Sequence, residues 1–312
     1  MSRMNESTTQ REKPFDPSFE EPGQMLPCLF ASDLHGKVHR YEKLFDAIRN
    51  MTPRAVFLGG DLCPSGLAPW DGPESADGDF LNGFLFSRLK RLRLEMDSDY
   101  PEILAIPGND DMRTEEHVML EGQEEGLWQY IHCKKTAVGG YPVFGYAFVP
   151  PTPFPWKDWE RYDVSRYIPP GSVSPEEGWR TVEADRHWVR YGTIKIDLEE
   201  LTSQQEDLSR SVFLFHTPPH ETALDRADLD GKSVDHVPLD LHVGSIAVRR
   251  FIQARQPRLT LHGHIHESAR LTGSWQDRIG DTLLFSAAHD GPELALVRFD
   301  LDNPSEAERL LL

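Results

Sequence analysis

Five short apolar runs in this chain end in the same way. The runs over 26–31, 55–58, 102–106, 212–215 and 258–261 are each followed within a few residues by a cluster of Gly, Asp, Asn or His. An apolar run of four to six residues bounded by turn residues reads as a buried strand. In open α/β sheets the polar site forms beyond the carboxyl ends of the strands. A chain that closes five buried strands with carboxylates, imidazoles and an amide is therefore expected to be an α/β sheet protein with one polar site along one edge.

The intervals between the runs support this. Residues 37–50 carry Tyr41, Leu44, Phe45 and Ile48 at helical spacing, so 26–58 reads as strand, helix, strand. A Pro/Gly/Asp-rich loop over 63–79 precedes a helix over 80–96 with Phe80, Phe84, Leu85 and Leu89 on one face. A strand is expected over 143–149, a helix over 245–254, and two last strands over 282–286 and 294–300. Residues 150–180 are crowded with Pro, Trp, Tyr and charges and read as an irregular insertion, whose aromatic content favours order. Residues 1–24 are polar and are expected to form a flexible tail ahead of a domain over 25–312. No internal repeat is found.

Composition narrows the function. The chain has 33 Lys and Arg against 51 Asp and Glu, a net charge of −18. That argues against long nucleic acid as a partner, because phosphate backbones select a basic face. It leaves room for a small phosphorylated substrate, with bound cations offsetting the acidic excess locally. The three cysteines, Cys28, Cys63 and Cys133, show neither zinc-finger nor disulfide spacing. With no apolar signal core and no apolar run of membrane-spanning length, the expected setting is soluble and cytoplasmic.

The polar clusters have the chemistry of a metal site. The candidates are Asp33, His35, Asp61, Asn109, His216, His264 and His266. Carboxylate, imidazole and amide oxygen together suit Mn, Fe, Zn, Ni or Co better than an all-oxygen Mg or Ca cage. Asp33 and His35 stand two apart, and so do His264 and His266, so each pair can turn toward one ion. Two ions about 3.5–4 Å apart can clamp one phosphoryl group when a carboxylate is shared between them. Asp61, alone after two glycines, is the natural bridge, and a water between the ions would be the nucleophile. A single one of these fragments is weak, since a lone Gly-Asp is usually a turn.

In this order the fragments resemble the calcineurin-like metallophosphoesterase superfamily. Its pattern of Asp-x-His, Gly-Asp, Gly-Asn-His-Glu/Asp, His and Gly-His-x-His is similar to Asp33-Leu34-His35, Gly60-Asp61, Gly108-Asn109-Asp110-Asp111, His216 and Gly263-His264-Ile265-His266. The match spans about 26–300. The resemblance implies a four-layer αββα sandwich of two mixed sheets with helices outside. It implies two divalent metal ions, one held by Asp33, His35, Asp61 and His266, the other by Asp61, Asn109, His216 and His264.

Two departures bear on the substrate. The family's third motif places a His after the Asn, where it contacts the phosphate and protonates the leaving group; here that position is Asp110. Asp110 is either an acid whose pKa is raised by burial or by Asp111, or a bystander in solvent. Members without this His lean toward phosphodiesters, so a phosphodiesterase acting on a small or nucleotide-like substrate is expected. A phosphomonoesterase or protein phosphatase is the alternative. The Asp-Arg-Gly arrangement of protein phosphatases is missing after Asp61, which disfavours that option. A catalytically weak scaffold of the same fold is the alternative from another class. Asn109 and Asp110 are the catalytic candidates, and Arg113, His220, Trp156 and Arg161 the candidate substrate contacts. His262 is expected to point away from the metals, and Cys63 to be a bystander thiol.

Overall fold

The computed structural model describes residues 25–66, 70 and 79–312. The expected tail over 1–24 and much of the 63–79 loop lie outside the described residues. In chain order the strands are β1 (Pro27–Ala31), β2 (Ala55–Gly59), β3 (Glu102–Ile106), β4 (Gln129–Tyr130), β5 (Lys134–Val138), β6 (Tyr141–Tyr146), β7 (Val212–Phe215), β8 (Ser233–Val234), β9 (Val237–Pro238), β10 (Leu259–His262), β11 (Gln276–Ile279), β12 (Thr282–Ser286), β13 (Ala295–Asp300) and β14 (Glu308–Leu311). The α-helices are α1 (Val38–Met51), α2 (Ser87–Met96), α3 (Glu116–Glu124), α4 (Arg186–Tyr191), α5 (Ile194–Leu201), α6 (Ile246–Arg255) and α7 (Ser268–Thr272).

Twelve strands form two six-stranded sheets, in the orders β14-β13-β1-β2-β3-β4 and β11-β12-β10-β7-β6-β5, while β8 and β9 pair separately. In the first sheet β1 to β4 run parallel, and β13 and β14 are antiparallel additions at one side. In the second, β12, β10, β7 and β6 run parallel between antiparallel β11 and β5. Both sheets are thus mixed and flanked by helices, as the sequence led us to expect.

Strand alternation explains the layering. Along β1, Cys28 and Phe30 face the second sheet while Leu29 and Ala31 face the helices, because successive side chains leave a strand on opposite sides. Phe57 and Leu104 repeat the inward positions; Val56, Leu58, Ile103 and Ala105 repeat the outward ones, against Tyr41, Leu44, Phe45 and Ile48 of α1. Phe299 of β13 meets Phe285 of β12 across the sheets, ring centroids 6.0 Å apart. Central strands buried on both faces read as continuous apolar runs, which is why five of them were visible in the sequence.

The misses have physical causes. The strand expected over 143–149 is β6, shifted toward the amino end. The helix expected over 80–96 begins with a π-helical turn, Leu81–Phe86, before α2. Phe80, Leu81, Phe84, Leu85 and Phe86 are all buried, more than an α-helical stripe carries in seven residues. The wider turn brings Phe86 inward against Trp128, centroids 5.2 Å apart. The unforeseen strands β5, β11 and β14 are polar sheet margins whose sequences, Lys-Lys-Thr-Ala-Val, Gln-Asp-Arg-Ile and Glu-Arg-Leu-Leu, lack a buried run. No described helix is long and apolar enough to cross a membrane.

Candidate metal centre

Sheet register delivers the site. Ala31 pairs with Leu58, and Gly59 with Ile106, so the turns after β1, β2 and β3 leave the first sheet side by side. Their backbones continue the pairing: Asp33 N–H donates to the Gly60 carbonyl at 2.9 Å and His35 N–H to that of Asp61 at 2.8 Å. In the second sheet Gly263 N–H donates to the His216 carbonyl at 2.9 Å, which sets the turns after β7 and β10 together. His216 Nδ1 then donates to the Gly59 carbonyl at 2.7 Å and links the two sheets at this end.

The turns are tight. Asp33, His35, Asp61 and His264 all sit at positive φ, between 48° and 74°. Asp and His tolerate that region better than bulky residues, and such strain gathers at functional sites. Gly60, at φ 96°, is a glycine for two reasons: its conformation, and a Cβ there would lie 2.6 Å from His216 Nδ1. At Gly108 a Cβ would collide with the Asp61 carboxylate.

Asp33, His35, Asp61 and His266 each place one ligand atom within 4.8 Å of the others. His35 Nε2 and His266 Nε2 face each other at 3.2 Å, and His266 Nε2 is 3.2 Å from Asp33 Oδ1. Asp61 Oδ2 lies 3.8 Å from His35 Nε2 and 3.4 Å from His216 Nε2, so this carboxylate stands between two sets of nitrogens. Asn109 Oδ1 is 3.0 Å from the same His216 Nε2. The His264 ring lies 5.2 Å from that of His216, and its backbone N–H donates to Asp33 Oδ1 at 3.0 Å. All seven expected residues gather at this one end of the two sheets.

The electrostatics call for positive charge here. Burial acts to raise the Asp33 carboxyl, yet the His266 hydrogen bond and the nearby imidazoles outweigh it and hold Asp33 far below the usual range. Asp61 is likewise lowered to about 2, with His216 overcoming the effect of burial. Burial alone would lower His216, but Asp61 holds its proton and raises it to about 9. His264, desolvated and beside His216, is pushed down to about 3 and stays neutral. Since His216 Nδ1–H is committed to Gly59, Nε2 presents either a proton or a lone pair to Asp61. Converging carboxylates and imidazoles share protons here and can equally share a cation, so the donor set fits divalent metal ions.

Surrounding groups fix the donors. Asp61 Oδ1 accepts from Asp110 N–H at 2.8 Å, leaving Oδ2 for the centre. The buried Asp111 carboxylate accepts from the N–H groups of Leu62 (3.1 Å), Cys63 (2.7 Å) and Gly108 (2.7 Å) and so binds two ligand turns together. Burial and then the Asp61 charge raise Asp111 to about 6 against those three donors. Arg40, buried on α1, donates to the Asp33 carbonyl at 2.6 Å. The sequence carried a hint of this: an Arg on the apolar face of a helix needs a buried acceptor. Ser65 Oγ, 2.9 Å from His35 Nδ1, had no such signal.

Two of the four expected substrate contacts are committed elsewhere. Arg161 is nearly buried, pairs with Asp197 at 2.8 Å and lies over the Trp188 ring, so its charge is committed inside the fold. Trp156 donates Nε1–H to Asp158 at 3.0 Å and packs on Trp179. Neither shares a hydrogen bond or ion pair with the seven gathered residues, because both tie the insertion to itself and to α5. Arg113 contacts Glu116 at 3.3 Å and sits over the Trp159 ring; His220 faces Asp240 at 3.2 Å. His262 is buried, its Nδ1 2.9 Å from the Thr217 carbonyl, and desolvation lowers it to about 3. Cys63 is buried, and desolvation raises its thiol well above the ordinary value.

The family model for calcineurin-like phosphoesterases matches residues 26–268. One crystal structure aligns with a TM-score of 0.55 at 14% identity, over 93% of this chain and 99% of its own. The crystal structure of TT1561 of Thermus thermophilus aligns with a TM-score of 0.52 at 16% identity, over 92% and 99%. At these identities the two structures show a shared fold. Among curated proteins none matches the sequence.

Proposed function

The chain belongs to the calcineurin-like phosphoesterase family, and from that premise we propose that it is a binuclear metal-dependent phosphodiesterase acting on a small or nucleotide-like ester. The observation that carries this reading is Asp61, whose free Oδ2 stands between His35 and His216. Asp33, His35, Asp61 and His266 would hold one divalent ion, and Asp61, Asn109, His216 and His264 the other. When bound, the ions supply activation of water and neutralisation of charge on the phosphoryl group.

The protein's own groups do the rest. Asp110 N–H and the Asp111 anchors keep Asp61 and Asn109 in place, so little reorganisation accompanies the reaction. A carboxylate at position 110 repels a dianionic monoester more than a monoanionic diester, which favours the diester. Arg113 and His220 are the remaining candidates for substrate contact.

The test is hydrolysis of bis-p-nitrophenyl phosphate against p-nitrophenyl phosphate with added Mn²⁺. The expected result is a higher kcat/KM for the diester, abolished by Asp61→Ala. No turnover of either ester with Mn, Fe, Zn, Ni or Co would sink the reading.

A further inference from the structure

Asp110 occupies the position at which the family's pattern places a His, and its surroundings assign it a different task. Its Oδ2 lies 3.4 Å from His35 Nδ1, on the side of the ring away from the metal-ligand group. His35 Nε2 faces that group, 3.2 Å from His266 Nε2 and 3.8 Å from Asp61 Oδ2. An oxygen acceptor beside Nδ1 favours a proton on that nitrogen, which leaves the Nε2 lone pair for a metal. Ser65 Oγ, the hydrogen-bond partner of the same Nδ1 at 2.9 Å, is a second oxygen at the back of the ring. The main chain of Asp110 acts in the same sense, since its N–H donates to Asp61 Oδ1 at 2.8 Å. One residue thus orients two ligands, His35 by its side chain and Asp61 by its backbone.

We infer that Asp110 is a positioning residue that holds the His35 ring with Nε2 toward the metal, and that it does not protonate the leaving group. This rests on the phosphodiesterase reading for its consequence, but not for its geometry. The Asp110 carboxylate is directed at the back of the His35 ring, and that contact assigns the side chain to a ligand rather than to the leaving group. A water-derived oxygen forms the new P–O bond and gives up its proton to solvent, and as the ester P–O bond breaks the leaving oxygen keeps the bonding pair and takes a proton from solvent water. The substrates that suit such a site are esters whose leaving groups are weakly basic.

Two measurements on the full-length chain decide it. Mn²⁺ alone, titrated calorimetrically into metal-stripped protein, should bind about 10–100-fold more weakly to Asp110→Asn than to wild type. In a His35→Asn background the same substitution should add nothing, because its effect passes through that ring. At saturating Mn²⁺, the loss of kcat/KM in Asp110→Asn should be the same for p-nitrophenyl and for phenyl diesters. Unchanged Mn²⁺ binding, with a loss that grows as the leaving group becomes more basic, would make Asp110 the leaving-group acid and overturn the inference. Weaker Mn²⁺ binding in the variant of a protein that hydrolyses no ester would uphold the inference while removing the proposed function.

Discussion

Two stretches of irregular backbone meet near the third motif, and they are ordered in opposite ways. The ligand turns at the sheet ends are held mainly by backbone pairing carried on from the strands, as in the bonds from Asp33 to Gly60 and from His35 to Asp61. The insertion after β6 pairs its backbone in isolated bridges, such as Trp156 with Trp179, and buried side chains carry the rest of its anchoring. Asp158, fully buried, accepts from Arg113 N–H, Trp156 Nε1–H, Thr181 N–H and Thr181 Oγ–H. Asp163 accepts from the N–H groups of Ile246 and Ala247 at the start of α6, and from Ser245 Oγ–H. Arg161 and Tyr146 share Asp197. Local pairing makes a loop that strands prescribe; dispersed side-chain anchors make one that only the assembled fold prescribes.

The largest effect that would break this contrast lies in the turns. Asp61→Ala should lower kcat/KM by roughly 10³-fold or more while the urea melt shows the insertion intact. A comparable loss from Asp158→Ala would mean that the insertion is itself part of the chemistry. Asp158→Ala should instead cost about 3 kcal/mol of stability, because it strands buried N–H donors, and urea unfolding measures it. Metal should distinguish the two regions next. At a concentration a hundred times its Kd, Mn²⁺ should stabilise wild type and Asp158→Ala alike by about 2.7 kcal/mol, and Asp61→Ala much less.

Acid should sharpen the comparison further. His132 packs against Trp159 of the insertion, centroids 5.1 Å apart. Burial, then the charges of Arg113 and Arg161, lower it to about 3 from 6.5. Its folded pKa lies below its unfolded one, so unfolding takes up a proton in this window. The stabilisation from the neutral ring is complete above the unfolded pKa and is lost as pH falls toward the folded value. Unfolding free energies measured from neutral pH downward should fall less steeply in His132→Asn, by up to about 1.4 kcal/mol per pH unit. The smallest effect is expected at the seam. Trp159 Nε1–H donates to the Asp111 carbonyl at 2.7 Å, and Trp159→Phe, which keeps an aromatic ring and loses that bond, should cost about 1 kcal/mol in a chemical melt.

Legibility followed the same division. Asp33, Asp61, Asn109, His216 and His264 could be found because each closely follows an apolar strand, and a strand that is buried on both faces announces itself. Arg161 and Trp156 were assigned to substrate because an isolated Arg or Trp in a loop does not reveal whether a carboxylate or a ring awaits it. Asp197 and Trp179, their partners, are 36 and 23 residues further along the sequence. The polar outer strands were missed for a related reason, since a half-solvated edge carries little hydrophobic pattern.

What the chain alone determined is which carboxylates, imidazoles and amide stand at the strand ends, and in what order, since both depend on short-range spacing and on the chemistry of single residues. What tertiary structure decided is how those donors face one another. Asp61 presents Oδ2 between His35 and His216 because its Oδ1 is occupied by Asp110 N–H, and Asp110 turns to His35 because β1 and β3 flank β2 in one sheet. Those relations join residues 49 and 75 positions apart. Spacing along a chain encodes the periodicity of one element, whereas an orientation between two elements exists only once their packing has set it.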